Sequence, residues 1–333
     1  MSNVLLLGCG GAAGINFTKS LHMRGHKVIG MDLNKYYLDS CNANIKLNRS
    51  ENILEIIDKY NIDLVHAQPD VEVEYLLSKP ELKNYIFPHS LDIWKKFNDK
   101  LYCQKKWRNI KNFFTCSFKE AYEYPVLFSE MLYKGSGKVW IRCLKGAGSK
   151  AALPITTMEQ GLNWASYWRE MKGIKETDFM LCQFLPGREF AVQTFWYHGK
   201  LIHAQARERL IYFFGALMPS GQTSTPAVAK AVMYNKPYQI AERAIKEIDK
   251  KPHGIYCVDM KEDMEGDCIP TEVNYGRFFT TNDFFSTLGV NTPDEYVRST
   301  QPGYKPDILI NSIPSDYYWI RGLDREPKLI KYE

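Results

Sequence analysis

Along the first ninety residues, short apolar runs alternate with helix-length stretches of mixed polarity. Val4-Leu5-Leu6-Leu7 leads into Gly8-Cys9-Gly10-Gly11-Ala12-Ala13-Gly14, and a helical pattern follows as far as Gly25. Lys27 to Met31 forms a second run ending at Asp32, and Asp63 to Ala67 and Tyr85 to Pro88 form two more. Strands separated by helix-length segments predict right-handed crossovers and a parallel sheet.

Near Leu91 the pattern changes. Asp92 to Trp107 reads as one charged amphipathic helix carrying Asp99-Lys100. Beyond it, β-branched and aromatic runs predict antiparallel strands at Lys138–Leu144, Phe179–Leu185 and Phe190–Arg207, the last turning at His198-Gly199. Thr156-Thr157-Met158-Glu159 reads as a capping box opening a helix with Leu162, Ala165 and Trp168 on one side. Asn235 to Lys250 predicts a helix with Ile240, Ala244, Ile245 and Ile248 on its buried stripe. A hairpin is expected from Gly254 to Lys261, through Glu265-Gly266-Asp267, and back from Cys268 to Asn274. Thr292-Pro293-Asp294-Glu295 caps a last helix. The expected layout is α/β first, then α+β.

Composition narrows the class. The 333 residues suggest about two domains, and 45% hydrophobic with 24% charged residues is ordinary globular usage. Lys and Arg number 43 against 38 Asp and Glu, a net charge of +5, too mild to make nucleic acid the expected partner. The longest apolar stretch, Leu210 to Met218, is far shorter than the roughly 20 residues of a membrane helix, so no membrane association is expected. The start lacks the basic n-region of a signal peptide. The eight cysteines include no CxxC pair, which excludes a zinc ribbon and suggests reduced thiols in the cytoplasm.

The glycine loop Gly8-x-Gly10-x-x-x-Gly14, followed by Asp32 at the end of the next strand, is close to a dinucleotide fingerprint. Its third glycine comes one residue late for GxGxxG, and the same turn also serves folds that bind no dinucleotide. A second pattern lies in the returning hairpin strand Thr271-Glu272-Val273-Asn274-Tyr275-Gly276-Arg277. Residues two apart share a face, so Glu272 and Asn274 point together, with Asp259 able to lie opposite. Two carboxylates and an amide suit Mg²⁺ held against polyphosphate, although a solvated polar face would read the same way. The strand Val139 to Leu144 carries one cation, Arg142, and feeds Lys145-Gly146-Ala147-Gly148-Ser149-Lys150, a loop able to wrap phosphates or simply turn. The strand Phe179 to Leu185 breaks at Pro186-Gly187 and resumes after Glu189, which suits either a nucleotide hinge or a plain turn.

The four segments, taken in order, resemble the ATP-grasp superfamily preceded by a Rossmann-like pre-grasp domain. Within it the chain looks most like single-module relatives of the carbamoyl phosphate synthase large subunit and the amino-acid ligases. The resemblance implies a Rossmann-like domain over residues 1–92 and an ATP-grasp domain over 93–333, with a lid at about 113–182. It implies ATP, and Mg²⁺ (or Mn²⁺) at one or two positions, held by Asp259, Glu272 and Asn274. Lys100 and Arg142 would contact phosphates, with Gly146, Gly148 and Ser149 in the lid loop. Gln183, Phe184 and Leu185 would meet adenine, and Glu189 the ribose. Arg277 would stabilise the transferred phosphoryl group, and Arg207 or Arg209, which alternation puts on one face, would face the acceptor carboxylate. Two positions depart from the family pattern: Gln183 stands where glutamate is frequent, and Gly276 is an extra residue before Arg277. The implied activity joins a carboxylate to an amine through an acyl phosphate, with small-molecule substrates and a homodimer common among relatives. The competing expectations are an NAD(P)-dependent oxidoreductase using the glycine loop and a non-catalytic nucleotide-binding protein.

Overall fold

A computed structural model describes residues 1–49, 52–145, 151–223, 225–323 and 325–332. The chain begins β1 (Asn3–Leu7), α1 (Ala12–His22), β2 (Lys27–Asp32), α2 (Lys35–Ser40), β3 (Ile45–Asn48), α3 (Ile53–Tyr60), β4 (Leu64–Ala67), α4 (Asp70–Leu77), α5 (Leu91–Asn98) and α6 (Lys100–Lys106). The four strands form a parallel sheet in the order β3-β2-β1-β4, in which β1, β2 and β4 are the apolar runs predicted. β3 escaped the sequence reading because it is short, alternates Ile45/Leu47 with Lys46/Asn48, and pairs only with β2. The expected strand at Tyr85–Pro88 reduces to one bridge, Val65 to Ile86; Pro88 has no N–H to extend a ladder.

The next segment contains β5 (Thr115–Ser117), α7 (Phe118–Glu123), α8 (Pro125–Lys134), β6 (Val139–Cys143), β7 (Leu153–Ile155), α9 (Met158–Lys172) and β8 (Phe179–Gln183). Its strands make an antiparallel sheet ordered β5-β8-β6-β7. The cap of α9 is Thr157, one residue beyond the expected Thr156, with its side chain accepting from Gln160 N. The rest comprises β9 (Glu189–Tyr197), β10 (Lys200–Tyr212), β11 (Pro226–Val232), α10 (Lys236–Ile248), β12 (Gly254–Glu262), β13 (Cys268–Tyr275), α11 (Asn282–Thr287), α12 (Thr292–Arg298), β14 (Leu309–Ile310), β15 (Tyr317–Ile320) and β16 (Lys328–Lys331). These strands form a third sheet, in which β13-β12-β9-β10-β11 is a run of antiparallel neighbours. α12 is capped by Asn291, whose side chain accepts from Asp294 N, so the expected Thr292 cap also moves by one.

A single helix from Asp92 to Trp107 does not form. Asp99 adopts an extended conformation, φ −93° and ψ 100°, ending α5 and capping α6 through a 2.9 Å bond from Tyr102 N. The Asp side chain competes with helical hydrogen bonding, and that competition is what breaks the helix. The break buries Lys100 at the head of α6.

One buried apolar cluster runs from Leu5, Ile29 and Val65 of the parallel sheet through Trp94 and Trp107 to Phe190, Val258 and Val273 of the large sheet. α10 lies on it through Ala241, Ala244 and Ile245. The parallel sheet and the large sheet therefore share a core, and the small β5–β8 sheet has its own around Phe118, Ile141 and Leu181. Among the described residues, no helix is long and apolar enough to cross a membrane.

Candidate active site

β12 and β13 pair with Asp259 opposite Glu272 and Cys257 opposite Asn274. The pleat therefore sets Asp259, Glu272 and Asn274 on one face, where all three line a cavity of about 200 Å³. Asn274 Nδ2 donates to Asp259 Oδ2 at 3.3 Å. This is the grouping the alternating residues predicted.

Cations surround it. Lys100 Nζ lies 3.4 Å and Arg142 Nη2 2.5 Å from Glu272 Oε2. Arg209 pairs with Asp259 Oδ1, and Arg277 donates to Asn274 Oδ1. Burial alone would raise the Glu272 carboxyl, but Lys100, Arg142 and Arg277 overcome it and hold the group well below the usual carboxylate range. Burial pushes Asp259 up against the pull of Arg209, and the Glu272 charge adds to the rise. Burial also lowers Lys100, against the opposing effect of Glu272.

Arg207 and Arg209 both line the cavity, as alternation required, but they differ in partners. Arg207 is 2% exposed, donates to Thr281 Oγ1 and lies with its guanidinium 4.2 Å from the Phe279 ring centre. It forms no ion pair among the described residues, and its Nε finds no hydrogen-bond partner there. Burial pushes it down to about 9, so it stays cationic near neutral pH.

Phe113, Trp140, Phe184, Leu185 and Met260 give the same cavity an apolar lining. The Gln183 side chain is committed elsewhere: its Oε1 accepts from Phe114 N at 3.3 Å and its Nε2 donates to Lys134 O at 3.1 Å. Gln183 thus ties the end of β8 to the segment before β5 and to the end of α8. Glu189 accepts from three donors, Lys261 at 2.6 Å together with Tyr212 and Gln222. Sequence reasoning did not single out those three. Lys261 had a signal, since it stands two residues from Asp259 on the same strand; Gln222 sits in a loop and had none. Gly146, Gly148 and Ser149 lie outside the described residues.

The glycine loop at Gly8–Gly14 is filled by the chain itself. Asp32 Oδ2 accepts from Gly10 N at 3.1 Å and Oδ1 from Asn34 N at 3.0 Å. A Cβ on Gly10 would overlap the Tyr37 carbonyl, one on Gly14 the Gly8 carbonyl, and one on Gly8 the Pro69 ring. These glycines serve close packing, and Asp32 is engaged by the backbone of the loop and of the turn after β2.

The oxygen set Asp259, Glu272 and Asn274 fits a hard divalent cation: three oxygen donors on one face leave further positions for phosphate or water. The same side chains now bind cations of the protein, which shows that the locus favours positive charge.

No protein-family model matches the chain, and no curated protein matches it. Solved structures do. The biotin carboxylase domain of Hydrogenobacter thermophilus 2-oxoglutarate carboxylase, solved with MgADP, ADP and bicarbonate, aligns with a TM-score of 0.70 at 12% identity, covering 96% of this chain and 73% of that one. L-amino acid ligase from Bacillus licheniformis gives 0.65 at 11% identity over 96% and 79% of the two chains. N5-carboxyaminoimidazole synthase from Aspergillus clavatus, solved with ADP and 5-aminoimidazole ribonucleotide, gives 0.65 at 14% identity over 96% and 81%. The chain has the fold of these enzymes.

Proposed function

We propose that this protein is an ATP- and Mg²⁺-dependent ligase that activates a carboxylate as an acyl phosphate and joins it to an amine. The observation that carries the reading is the Asp259–Glu272–Asn274 group, facing one cavity and ringed by Lys100, Arg142, Arg209 and Arg277. We read residues 1–92 as a Rossmann-like pre-grasp domain and 93–333 as the ATP-grasp domain, with the small antiparallel sheet in the lid. The biotin carboxylase domain named above forms a dimer, and we propose a homodimer here, testable by light scattering.

The apolar lining would take adenine beside Phe184, Leu185 and Met260, with Glu189 toward the ribose. Lys100 and Arg142 would exchange Glu272 for nucleotide phosphates. Asp259, Glu272 and Asn274 would hold Mg²⁺, which would supply charge neutralisation for the nucleotide phosphates. Arg207, a buried cation without an acid partner among the described residues, would hold the substrate carboxylate. A carboxylate oxygen attacks the γ-phosphorus, the bond to the bridging oxygen breaks, and ADP leaves. Arg277 offsets the charge on the transferred phosphoryl group. The amine then attacks the acyl carbon, phosphate departs with the C–O bonding pair, and the amine nitrogen loses a proton. These steps need positioning and charge more than acid–base groups.

The test is a screen of carboxylate and amine mixtures for ADP release, with Glu272→Ala as control. Release that depends on both substrates and disappears in the variant supports the reading; turnover retained in Glu272→Ala removes the metal assignment. A nicotinamide oxidoreductase is disfavoured by the packed glycine loop. A non-catalytic nucleotide binder would be stabilised by Mg-ATP yet release no ADP with any mixture.

A further inference from the structure

Three consecutive residues after β13 are held by one short stretch of the parallel-sheet unit. Gly276 is left-handed, φ +82°, and packs so closely on α4 that an added Cβ would come within 3.2 Å of Val73 Cγ1. Phe278 N donates to Gln68 Oε1 at 3.1 Å. Between them, Arg277 Nε lies 2.7 Å from Asp70 Oδ1, at the head of α4. The N–H is not aimed at that oxygen, so the contact is an ion pair rather than a directed hydrogen bond. On its other side, Arg277 Nη2 donates to Asn274.

We propose that Asp70 is a positioning residue for Arg277, so that the N-terminal sheet takes part in phosphoryl transfer; this rests on the ligase reading above. The extra residue in the metal strand then has a physical account. A left-handed glycine turns the chain after Tyr275 so that Arg277 emerges toward Asp70 and lies between it and Asn274. The pair is unsuited to be mere adhesive between the two units. Its side chains are 20% and 25% exposed, and ion pairs with that much water contribute little stability. The neighbouring Gln68 contact and the shared apolar core already hold the units together. What Asp70 adds is restraint: a carboxylate on one side and an amide oxygen on the other confine a long, flexible guanidinium.

The test compares Asp70→Asn with wild type in two measurements. In the first, affinities for ADP and for β,γ-imido-ATP are measured with Mg²⁺. Wild type should prefer the triphosphate analogue, and Asp70→Asn should lose most of that preference while its ADP affinity stays within about twofold. In the second, turnover in the ADP-release assay should fall roughly 10- to 100-fold in Asp70→Asn. The double variant Asp70→Asn/Arg277→Ala should be no slower than Arg277→Ala alone. A triphosphate preference unchanged in Asp70→Asn, or absent in wild type, overturns the proposal; so do losses that multiply in the double variant. If no substrate pair releases ADP while the binding preference exists and depends on Asp70, the positioning role stands and the ligase reading falls.

Discussion

Replacing Glu272 by alanine should change nucleotide binding in two opposite ways. Without metal, Glu272 competes with incoming phosphates for Lys100 and Arg142, both within 3.4 Å of its Oε2. A phosphate charge about 5 Å from that carboxylate, at an effective dielectric near 20, is repelled by roughly 3 kcal/mol. Glu272 is 18% exposed, and water at that level roughly halves the figure, to about 1.5 kcal/mol or tenfold in Kd. Glu272→Ala should therefore bind ADP in EDTA about tenfold more tightly than wild type. With Mg²⁺ present, wild type should tighten considerably and the variant hardly at all, because the carboxylate at the centre of the metal set is gone. Titration calorimetry with ADP, in EDTA and in Mg²⁺, measures all four affinities. A variant that binds metal-free ADP no better than wild type, yet keeps the full gain on adding Mg²⁺, would refute both the charge competition and the metal site.

Arg207→Met should abolish carboxylate-dependent ADP release while leaving the melting temperature equal or higher, since a buried cation with no acid partner among the described residues is replaced by an apolar chain; a variant with normal turnover would remove Arg207 from substrate binding. Thermal shift with NADH or NADPH should show no stabilisation, and Gly10→Ala should lower the melting temperature by several degrees through its clash with Tyr37; a nicotinamide-induced shift would contradict the packed loop. Stability should fall on acidification. Burial lowers His66 to about 3 and His203 to about 4. Their neutral forms thus stabilise the fold above about pH 6.5, and that contribution is lost as pH falls toward the folded values. Asp283, raised to about 6 by burial, works the other way, gaining stability as pH falls below 6. His253, lowered to about 4 by burial, and His89, lowered by burial as well, lose stability in the same direction, so the losses outweigh the Asp283 gain and stability should fall from pH 7 to 5, measurable by urea denaturation; equal stability at both pH values would contradict it.

The site's acidic face was legible because strand alternation is a local rule: Asp259, Glu272 and Asn274 need only the hairpin to meet. The same rule placed Arg207 and Arg209 together. It could not tell them apart, because their partners, Thr281 and Phe279 for one and Asp259 for the other, come from distant segments. Lys100 was read on one continuous charged helix, and its burial follows from the Asp99 break. Asp70 had no signal at all, since its meaning depends on how the parallel sheet docks. The Gln183 side chain shows the converse: its place in the hinge was readable, its bonds to Phe114 and Lys134 were not.

The core shared by the first and third sheets means that the chain cannot be cut near residue 92 into two self-sufficient pieces. Either fragment made alone would present Leu5, Val65 or Val258 and their neighbours as a sticky interface and would precipitate or recruit a chaperone. Evolutionary exchange of the N-terminal sheet would face the same barrier. A transplanted replacement would have to match that apolar surface and the Gln68 and Asp70 contacts together, which favours inheritance of the whole as one block.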